Sequence, residues 1–235
     1  MTSGATLYGI GVGPGDPELM TLKAARLVAE APVIAYPAPN GGESLARSIA
    51  AGFIPDGVTE LAIDLPMNVA REPAQAAYAK AAELIAGHLA KGRSVAFLCA
   101  GDPLFYGSFM YLLGLLADRH RIEIVPGITS LTACAAALGK PLAARNDVLK
   151  VLPAPLSAER LRAELEATDA AAIVKVGRHF DKVRKVLREL GFSDNAAIVE
   201  AATRGDERIT PLEDIPEGER PYFSTILIYK GQEGW

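Results

Sequence analysis

The sequence predicts an α/β protein of two domains, and two observations lead to this prediction. In the first half of the chain, short β-branched or apolar runs alternate with helical stretches, which is typical of a parallel sheet with crossover helices. After "VPGITS" the pattern changes, and the connections near the end become shorter and more hairpin-like. At 235 residues, half of them hydrophobic, the chain is long enough for two domains with separate cores. We expect the domains to cover residues 1–126 and 127–235.

Five strands are predicted in the first domain, enough for a complete open sheet. They cover residues 6–12, 33–36, 58–63, 94–99 and 121–125, and the helices between them cover residues 21–29, 43–51, 73–90 and 105–117. Pro126 and Gly127 end the fifth strand. Thr129 or Ser130 can then cap the small-residue helix "LTACAAALG".

The second domain has apolar runs that predict further strands, namely "DVLKVLPA", "AAIVKVG", "NAAIVEA" and "YFSTILIYK". Helices are predicted at residues 157–167 and 180–190. The sequence contains no internal repeat and no long linker, so we expect the two halves to pack closely with a cleft between them.

The loop after the first strand is the most distinctive local feature. The stretch "LYGIGVGPGDPELMTLKAARLV" carries Gly9, Gly11, Gly13 and Gly15. It lacks the third glycine of the dinucleotide fingerprint G-x-G-x-x-G, and no Gly-Lys-Ser/Thr follows as in a Walker loop. It therefore predicts an elbow without side chains, where a small ligand can approach the backbone. Asp16 can cap the helix that follows.

Two further loops repeat this design. The fourth strand leads into "AGDPLFYGSFMY", where Gly101 frees the backbone and Asp102 can cap a helix. "PGITS", after the fifth strand, offers hydroxyls and N–H groups at a helix start. Because ligands bind at the carboxyl ends of strands in open α/β sheets, we expect the loops after strands one, four and five to form a pocket. The competing interpretation is that these aspartates are ordinary helix caps.

Charge and composition exclude several function classes. The net charge of −4 argues against a broad electrostatic grip on nucleic acid or on an anionic membrane. His88, His120 and His179 are too scattered for a metal site. Cys99 and Cys134 form no CxxC unit and are expected to be buried thiols, which favours a reducing compartment. With no signal-peptide pattern and no apolar run of about 20 residues, the sequence predicts a soluble, cytoplasmic protein.

Three motifs, "GVGPGDPELMTLKA", "GDPLFYGS" and "PGITS", resemble the tetrapyrrole methyltransferases that use S-adenosylmethionine, which have the class III methyltransferase fold. The resemblance covers essentially the whole chain. It implies two αβα domains, the first with a five-stranded parallel sheet and the second with a mixed sheet. It also implies S-adenosylmethionine as methyl donor, bound in the cleft between the domains, and a homodimer.

Within this family, the longer strings "GDPLFYGSFMYL", "KVGRHFDKVRKVL", "VEAATRGDERI" and "PYFS" resemble the members that methylate precorrin-2 at C-20 in cobalamin biosynthesis. The resemblance does not separate metal-free precorrin-2 from its cobalt complex. The sequence is also compatible with a different precorrin, with a protein or RNA substrate, and with a module that binds S-adenosylmethionine without turnover.

Residue by residue, the resemblance implies a set of cofactor contacts. The positions are Pro14, Ala100, Gly101, Asp102, Phe105, Thr129, Ser130, Val176 and Ala202. One position departs from the relatives that act on uroporphyrinogen, which carry an aspartate thought to be a base after the tyrosine of the second strand. Pro37 stands there in this sequence and cannot accept a proton, so the resemblance supplies no general base.

A tetrapyrrole with acetate and propionate side chains is best bound by arginine and lysine. The second half supplies Arg145, Lys150, Lys175, Arg178, Lys182, Arg204 and Arg208. Arg178 is the preferred substrate-binding residue, because it follows "VKVG" at a strand end. The competing interpretation for every member of this set is solvated surface charge. We expect His179 and Tyr111 to be structural, because neither has a carboxylate at a spacing that would tune it.

Overall fold

A computed structural model of the chain describes residues 4–64 and 71–231. The chain divides into two compact units, Met1–Thr129 and Ser130–Trp235. Each unit contains one five-stranded sheet. The α/β fold class predicted from the sequence is confirmed. In the described ranges, no helix is both long enough and apolar enough to cross a membrane.

The sheet of the first unit is entirely parallel. Its strands are β1 (Thr6–Gly11), β2 (Val33–Pro37), β3 (Thr59–Ile63), β4 (Val95–Cys99) and β5 (Arg121–Val125). They lie in the order β3-β2-β4-β1-β5. Strand β1 is therefore flanked by β4 and β5, and the three loops nominated by the sequence leave the sheet from neighbouring strands.

Helices cover both faces of this sheet, because successive side chains of a strand point to opposite faces. The helices are α1 (Leu22–Glu30), α2 (Leu45–Ile49), α3 (Arg71–Ala90) and α4 (Phe109–Leu116). Phe97 packs with α3 and α4, whereas its neighbour Leu98 packs with α1 and α2. Strand β4, buried along its whole length, is the centre of both cores.

The sheet of the second unit is mixed, as predicted. Its elements are α5 (Ser130–Leu138), β6 (Leu149–Pro153), α6 (Ala158–Glu166), β7 (Ala170–Val174), α7 (Phe180–Glu189), β8 (Ala196–Glu200), β9 (Arg208–Pro211) and β10 (Ser224–Tyr229). The strand order is β6-β7-β10-β8-β9. Strands β6 and β7 are parallel, whereas the other pairs are antiparallel. Strand β9 was not predicted from the sequence.

Helix α7 contributes one face to the core of this unit. Phe180, Val183 and Leu187 recur at the spacing of one helix face and are buried in the core of the unit. Lys185 and Arg188 lie on the outer face. The buried face packs against β-strand residues such as Ile226 of β10.

Candidate functional site

The loops after β1 and β4 are joined by a pair of main-chain hydrogen bonds. The N–H of Gly101 donates to the carbonyl of Gly13 at 2.7 Å, and the N–H of Gly13 donates to the carbonyl of Gly101 at 3.3 Å. Both glycines have positive φ, of 70° and 84°. L-residues rarely adopt this conformation, so glycine is required for the two loops to meet in this way.

The loop after β5 closes against the same backbone. A Cβ atom placed on Gly11 would lie 2.6 Å from the carbonyl oxygen of Gly101 and 2.6 Å from the Cα of Gly127. Real Cβ atoms do not approach so closely, so Gly11, Gly101 and Gly127 form a junction of bare backbone. We call these three residues the glycine junction.

These glycines serve internal packing to a larger extent than the sequence indicated. At Gly9, a Cβ atom would lie 2.5 Å from the ring of Phe109, so this glycine makes room for a core side chain. The open side of the junction is at Gly101, where a Cβ atom would meet nothing closer than the carbonyl of Ile128 at 4.0 Å. The bare backbone that a ligand could approach is therefore at Gly101.

Asp102 braces the junction with both carboxylate oxygens. Oδ1 accepts the N–H of Leu104 at 2.9 Å, and Oδ2 accepts the N–H of Gly127 at 3.0 Å. The prediction that Asp102 caps a helix with Pro103 in its first turn is wrong, because α4 begins at Phe109, four residues after the predicted start at residue 105. The intervening turn includes Tyr106 at φ 54°, which interrupts a helical path.

Asp16 has the same local geometry in the first loop. Its Oδ1 accepts the N–H of Glu18 at 2.9 Å and caps a short 3₁₀ helix, Pro17–Leu19. Helix α1 begins later and is capped by Thr21, whose hydroxyl accepts the N–H of Ala24 at 3.1 Å. The prediction that Asp16 caps a helix with Pro17 at its first position is therefore confirmed, and the capped helix is the 3₁₀ helix that precedes α1.

The other predicted cofactor residues of the first unit belong to the same three loops as the glycine junction. Pro14, Ala100, Phe105 and Thr129 are all half-buried. The ring of Phe105 makes an edge contact with Tyr106, with centroids 5.1 Å apart. These four residues have partly accessible side chains, as a ligand contact requires.

The predicted cofactor residues of the second unit differ in accessibility. Ser130, the first residue of α5, is half-buried. Val176 is fully buried in the core of its unit, so its side chain is already surrounded by protein. Ala202 is also buried and stands between Ala201 and Thr203, whose φ values are 50° and 64°. For Val176, contact through main-chain atoms fits this arrangement better than contact through the isopropyl group.

Four of the seven candidate substrate cations differ in whether their charge is already paired or hydrogen-bonded. Lys150 pairs with Glu164 at 2.8 Å, Arg204 pairs with Asp206 at 3.0 Å, and Lys182 donates to main-chain carbonyls. Arg178 is exposed, and within the described ranges it forms no ion pair with a carboxylate. Its Nε lies 3.5 Å from Nε2 of His179. The charge of Arg178, in the 3₁₀ helix Gly177–His179 after β7, is therefore available to a ligand.

The titratable groups near these loops are not organised as an acid–base pair. The pKa of His179 is lowered by burial and by the charges of Lys182 and Arg178. Tyr111 is exposed, and its ring packs on Tyr78 with centroids 4.7 Å apart. Among residues 4–64 and 71–231, no three His, Cys, Asp or Glu side chains come together as a metal site would require.

A second polar region at the same sheet edge was missed from the sequence. A cavity of about 410 Å³ adjoins the ends of β2 and β3, and Tyr36, Arg47 and Asp64 are among its lining residues. Arg47 donates to both carboxylate oxygens of Glu60 at 3.1 and 3.0 Å. Burial and, to a smaller extent, the carboxylate of Glu60 raise the pKa of Tyr36. Its hydroxyl therefore stays protonated and can donate a hydrogen bond. The pairing of residues from β2, α2 and β3 is not visible in a local motif.

Comparison with known proteins adds a family relationship to this geometry. The sequence model described as Tetrapyrrole (Corrin/Porphyrin) Methylases matches residues 6–216. A precorrin-2 C(20)-methyltransferase from Sinorhizobium sp is 40% identical over 237 residues, which make up 97% of this chain and 95% of that protein.

A longer relative matches as well. The cobalamin biosynthesis protein CobIJ of Mycobacterium tuberculosis (strain ATCC 25618 / H37Rv) is 42% identical over 240 residues, covering 99% of this chain and 47% of that protein. This chain thus spans about half the length of that relative. Among solved structures, uroporphyrin-III C-methyl transferase from Thermus thermophilus, complexed with S-adenyl homocysteine, has a TM-score of 0.68 at 27% identity. The similarity covers 95% of this chain and 92% of that one.

Proposed function

The chain belongs to the tetrapyrrole (corrin/porphyrin) methylase family, and on this basis we propose that it methylates precorrin-2 at C-20 with S-adenosylmethionine as methyl donor. The similarity to the Sinorhizobium precorrin-2 C(20)-methyltransferase, which extends over nearly the full length of both proteins, supports this substrate and position. The product is precorrin-3A, and the reaction is a step of cobalamin biosynthesis.

The glycine junction is the structural observation that carries the proposal. Its three loops leave neighbouring parallel strands at their carboxyl ends, where ligands bind in open α/β sheets. The open side of Gly101 leaves backbone accessible to a flat or narrow ligand. The solved relative from Thermus thermophilus binds S-adenyl homocysteine, which is the demethylated form of the proposed donor.

We assign cofactor binding to residues of both units. In the first unit they are Pro14, Ala100, Gly101, Asp102, Phe105 and Thr129, and in the second unit Ser130, Val176 and Ala202. S-adenosylmethionine would supply an electrophilic methyl group on a sulfonium that becomes neutral on transfer. Asp102 acts by holding the loops in place, because main-chain N–H groups already occupy both of its oxygens.

The contribution of the chain is then binding and alignment. Fixing two reactants in line can correspond to roughly 7–11 kcal/mol of the barrier. Pro37 ends β2 and accepts no proton, so we assign no general base at that position. Alignment is the effect that we assign to the cofactor-binding residues.

Arg178 is the proposed substrate-binding residue. Its exposed guanidinium can form paired hydrogen bonds with a carboxylate of the tetrapyrrole rim. Lys185, an exposed cation on α7 of the same unit, is a matched control because it sits on the outer helix face. We expect Arg178→Ala to raise the KM for the tetrapyrrole about tenfold without changing the Kd for S-adenosylhomocysteine. We expect Lys185→Ala to change neither constant.

The function is tested by incubating the protein anaerobically with S-adenosylmethionine and either metal-free or cobalt-containing precorrin-2. Product mass and absorption are followed, and the methyl position is assigned by NMR. One added methyl at C-20 of either substrate supports the proposal, and the faster substrate identifies the physiological form. Cofactor binding without methylation of either substrate would overturn the substrate assignment while leaving the family intact.

We further propose that the protein is a cytoplasmic homodimer. The exposed face of α4 supports the dimer, because Met110, Tyr111 and Leu115 present apolar surface to solvent. A helix that is apolar on all sides usually has a partner. Cys99 and Cys134 are free buried thiols, as expected in a reducing compartment.

A further inference from the structure

Glu200, the last residue of β8, has an unusual environment. Its residue surface is only 8% exposed, and its Oε1 is buried without a hydrogen-bond donor from any described residue. Ser224 is its cross-strand partner in β10, but the Ser224 hydroxyl donates to the carbonyl of Pro221 at 2.7 Å. A buried carboxylate oxygen without a partner is costly and calls for an explanation.

Among the described residues, Arg220 is the cation that forms an ion pair with Glu200. Its Nη1 lies 3.9 Å from Oε1 of Glu200, within ion-pair range but beyond hydrogen-bond distance. Both side chains are largely buried, with 19% and 11% of the surface exposed. The guanidinium also stands over the ring of Phe180, with Cζ 5.5 Å from the ring centroid.

The segment of residues 219–223 joins two loops of the second unit. The main-chain N–H of Arg220 donates to the carbonyl of Gly177 at 3.1 Å, in the loop after β7. The N–H of Ala201, in the loop after β8, donates to the carbonyl of Phe223 at 3.0 Å. Because β10 runs antiparallel to β7 and β8, it begins near the carboxyl ends of both strands, with Ser224 opposite Glu200 and Ile226 opposite Ile173.

Both loops are strained. Lys175 directly follows β7 with φ 59°, and Ala201 directly follows β8 with φ 50°. A side chain in this region is unfavourable and persists only where surrounding structure holds it. The 219–223 segment provides contacts that hold each loop in place.

We propose that Arg220 and Glu200 form a positioning pair that sets the two loops carrying Val176 and Ala202 for binding the adenosyl part of the cofactor. The proposal rests on the proposed function, which assigns those two residues to the cofactor. The pair acts through the 219–223 segment and does not itself contact the methyl group. If the 3.9 Å separation shortened to a hydrogen bond, the buried oxygen would gain a donor. The 219–223 segment would then be held more firmly against both loops.

The test measures the Kd for S-adenosylhomocysteine by calorimetry in the full-length protein, together with KM for S-adenosylmethionine and kcat. We expect Glu200→Gln and Arg220→Gln each to raise Kd and KM about tenfold with little change in kcat at saturating cofactor. The double variant should be no weaker than either single variant, because the two residues act through each other. Arg220→Lys retains the charge and should recover most of the affinity.

Arg188→Gln is the matched control. It removes an exposed ion pair with Glu213 in the same unit and should leave Kd within about twofold of the unmodified protein. A merely structural role would reduce the active fraction, and hence kcat, while the Kd of the folded fraction stayed constant. That result, or normal Kd values in folded Glu200→Gln and Arg220→Gln proteins, would overturn the inference. Failure of the unmodified protein to bind would instead overturn the proposed function.

Discussion

The carboxylate of Asp102 accepts the main-chain N–H of Gly127 at 3.0 Å, which ties the loop after β4 to the loop after β5. Its other oxygen accepts the N–H of Leu104. We expect Asp102→Asn to lower the free energy of unfolding by about 1–3 kcal/mol, because the amide NH₂ must face one of these two donors. Urea unfolding measures this loss. Asp147→Asn, at a half-buried aspartate that accepts the N–H of Ala144 within a local turn, should cost less. Equal costs would show that the Asp102–Gly127 bond is not distinctive.

The glycine junction predicts a contrast between two alanine substitutions. Gly127→Ala places a Cβ atom against the carbonyl of Gly101 and should destabilise the protein by about 1–3 kcal/mol or more. It should also weaken S-adenosylhomocysteine binding. Gly87→Ala, in an open position of α3, should stabilise the protein by about 0.5–1 kcal/mol. Thermal and urea unfolding compare the two, and a stable, binding-competent Gly127→Ala protein would contradict the packing at the junction.

The two cysteines should be inert in the folded protein. Burial raises the pKa of Cys99 to about 12 and that of Cys134 to about 11. Since the thiolate is the reactive form, neither should react with an aromatic disulfide reagent at a mildly alkaline pH until the chain unfolds. Labelling before and after addition of urea measures this. Rapid labelling of one thiol in the folded protein would show that its site opens readily.

The Arg188–Glu213 pair predicts an acid-dependent contribution to stability. A hydrogen bond from Arg188, with a smaller one from Ser193, lowers the pKa of Glu213 from 4.5 to about 2. A carboxyl group with a lower pKa in the folded state stabilises above its ordinary pKa, and this contribution is lost as the pH falls from about 4.5 to about 2. Arg188→Gln should therefore make the melting temperature less dependent on pH in this window. Lys185→Gln, on the same helix, should retain the original dependence.

The exposed face of α4 predicts a contact between two copies of the chain. We expect Leu115→Glu to convert a homodimer into a monomer, because it places a charge among Met110 and Tyr111. Leu22→Glu is the control, since Leu22 is 92% exposed at the start of α1 and a first-turn acid is favourable there. Light scattering gives the mass of each variant. A monomeric unmodified protein would refute the dimer itself, and a dimeric Leu115→Glu protein would place the contact elsewhere.

Strand positions in the first unit followed closely from the sequence, because β1, β2 and β4 are short, mostly buried apolar runs between turn residues, and the edge strands β3 and β5 carry apolar residues among charged ones. The start of α4 did not follow. Gly101-Asp102-Pro103 satisfies every local condition for a helix cap, yet Asp102 turns its second oxygen to Gly127, 25 residues away. Local preference was outweighed by a tertiary hydrogen bond.

The glycine pattern correctly indicated a special loop but not what each glycine accommodates. Gly9 faces Phe109, and Gly11 faces Gly101 and Gly127, which are distant in sequence. Arg220 and Glu200 likewise form an ion pair although they are distant in sequence. The stretch between them contains β9, which the sequence did not predict. In each case the missing information was which segments pack together, and single-sequence periodicity does not contain it.

The place of β10 has a consequence for synthesis of the protein on the ribosome. β10 lies between β7 and β8, so it joins the β6–β7 pair to the β8–β9 pair. A nascent chain that has not yet emerged through Tyr229 therefore holds two separate strand pairs, each with an open edge. The second sheet can close only after β10 leaves the exit tunnel, and a chain truncated before residue 224 would leave edges exposed to aggregation and proteolysis.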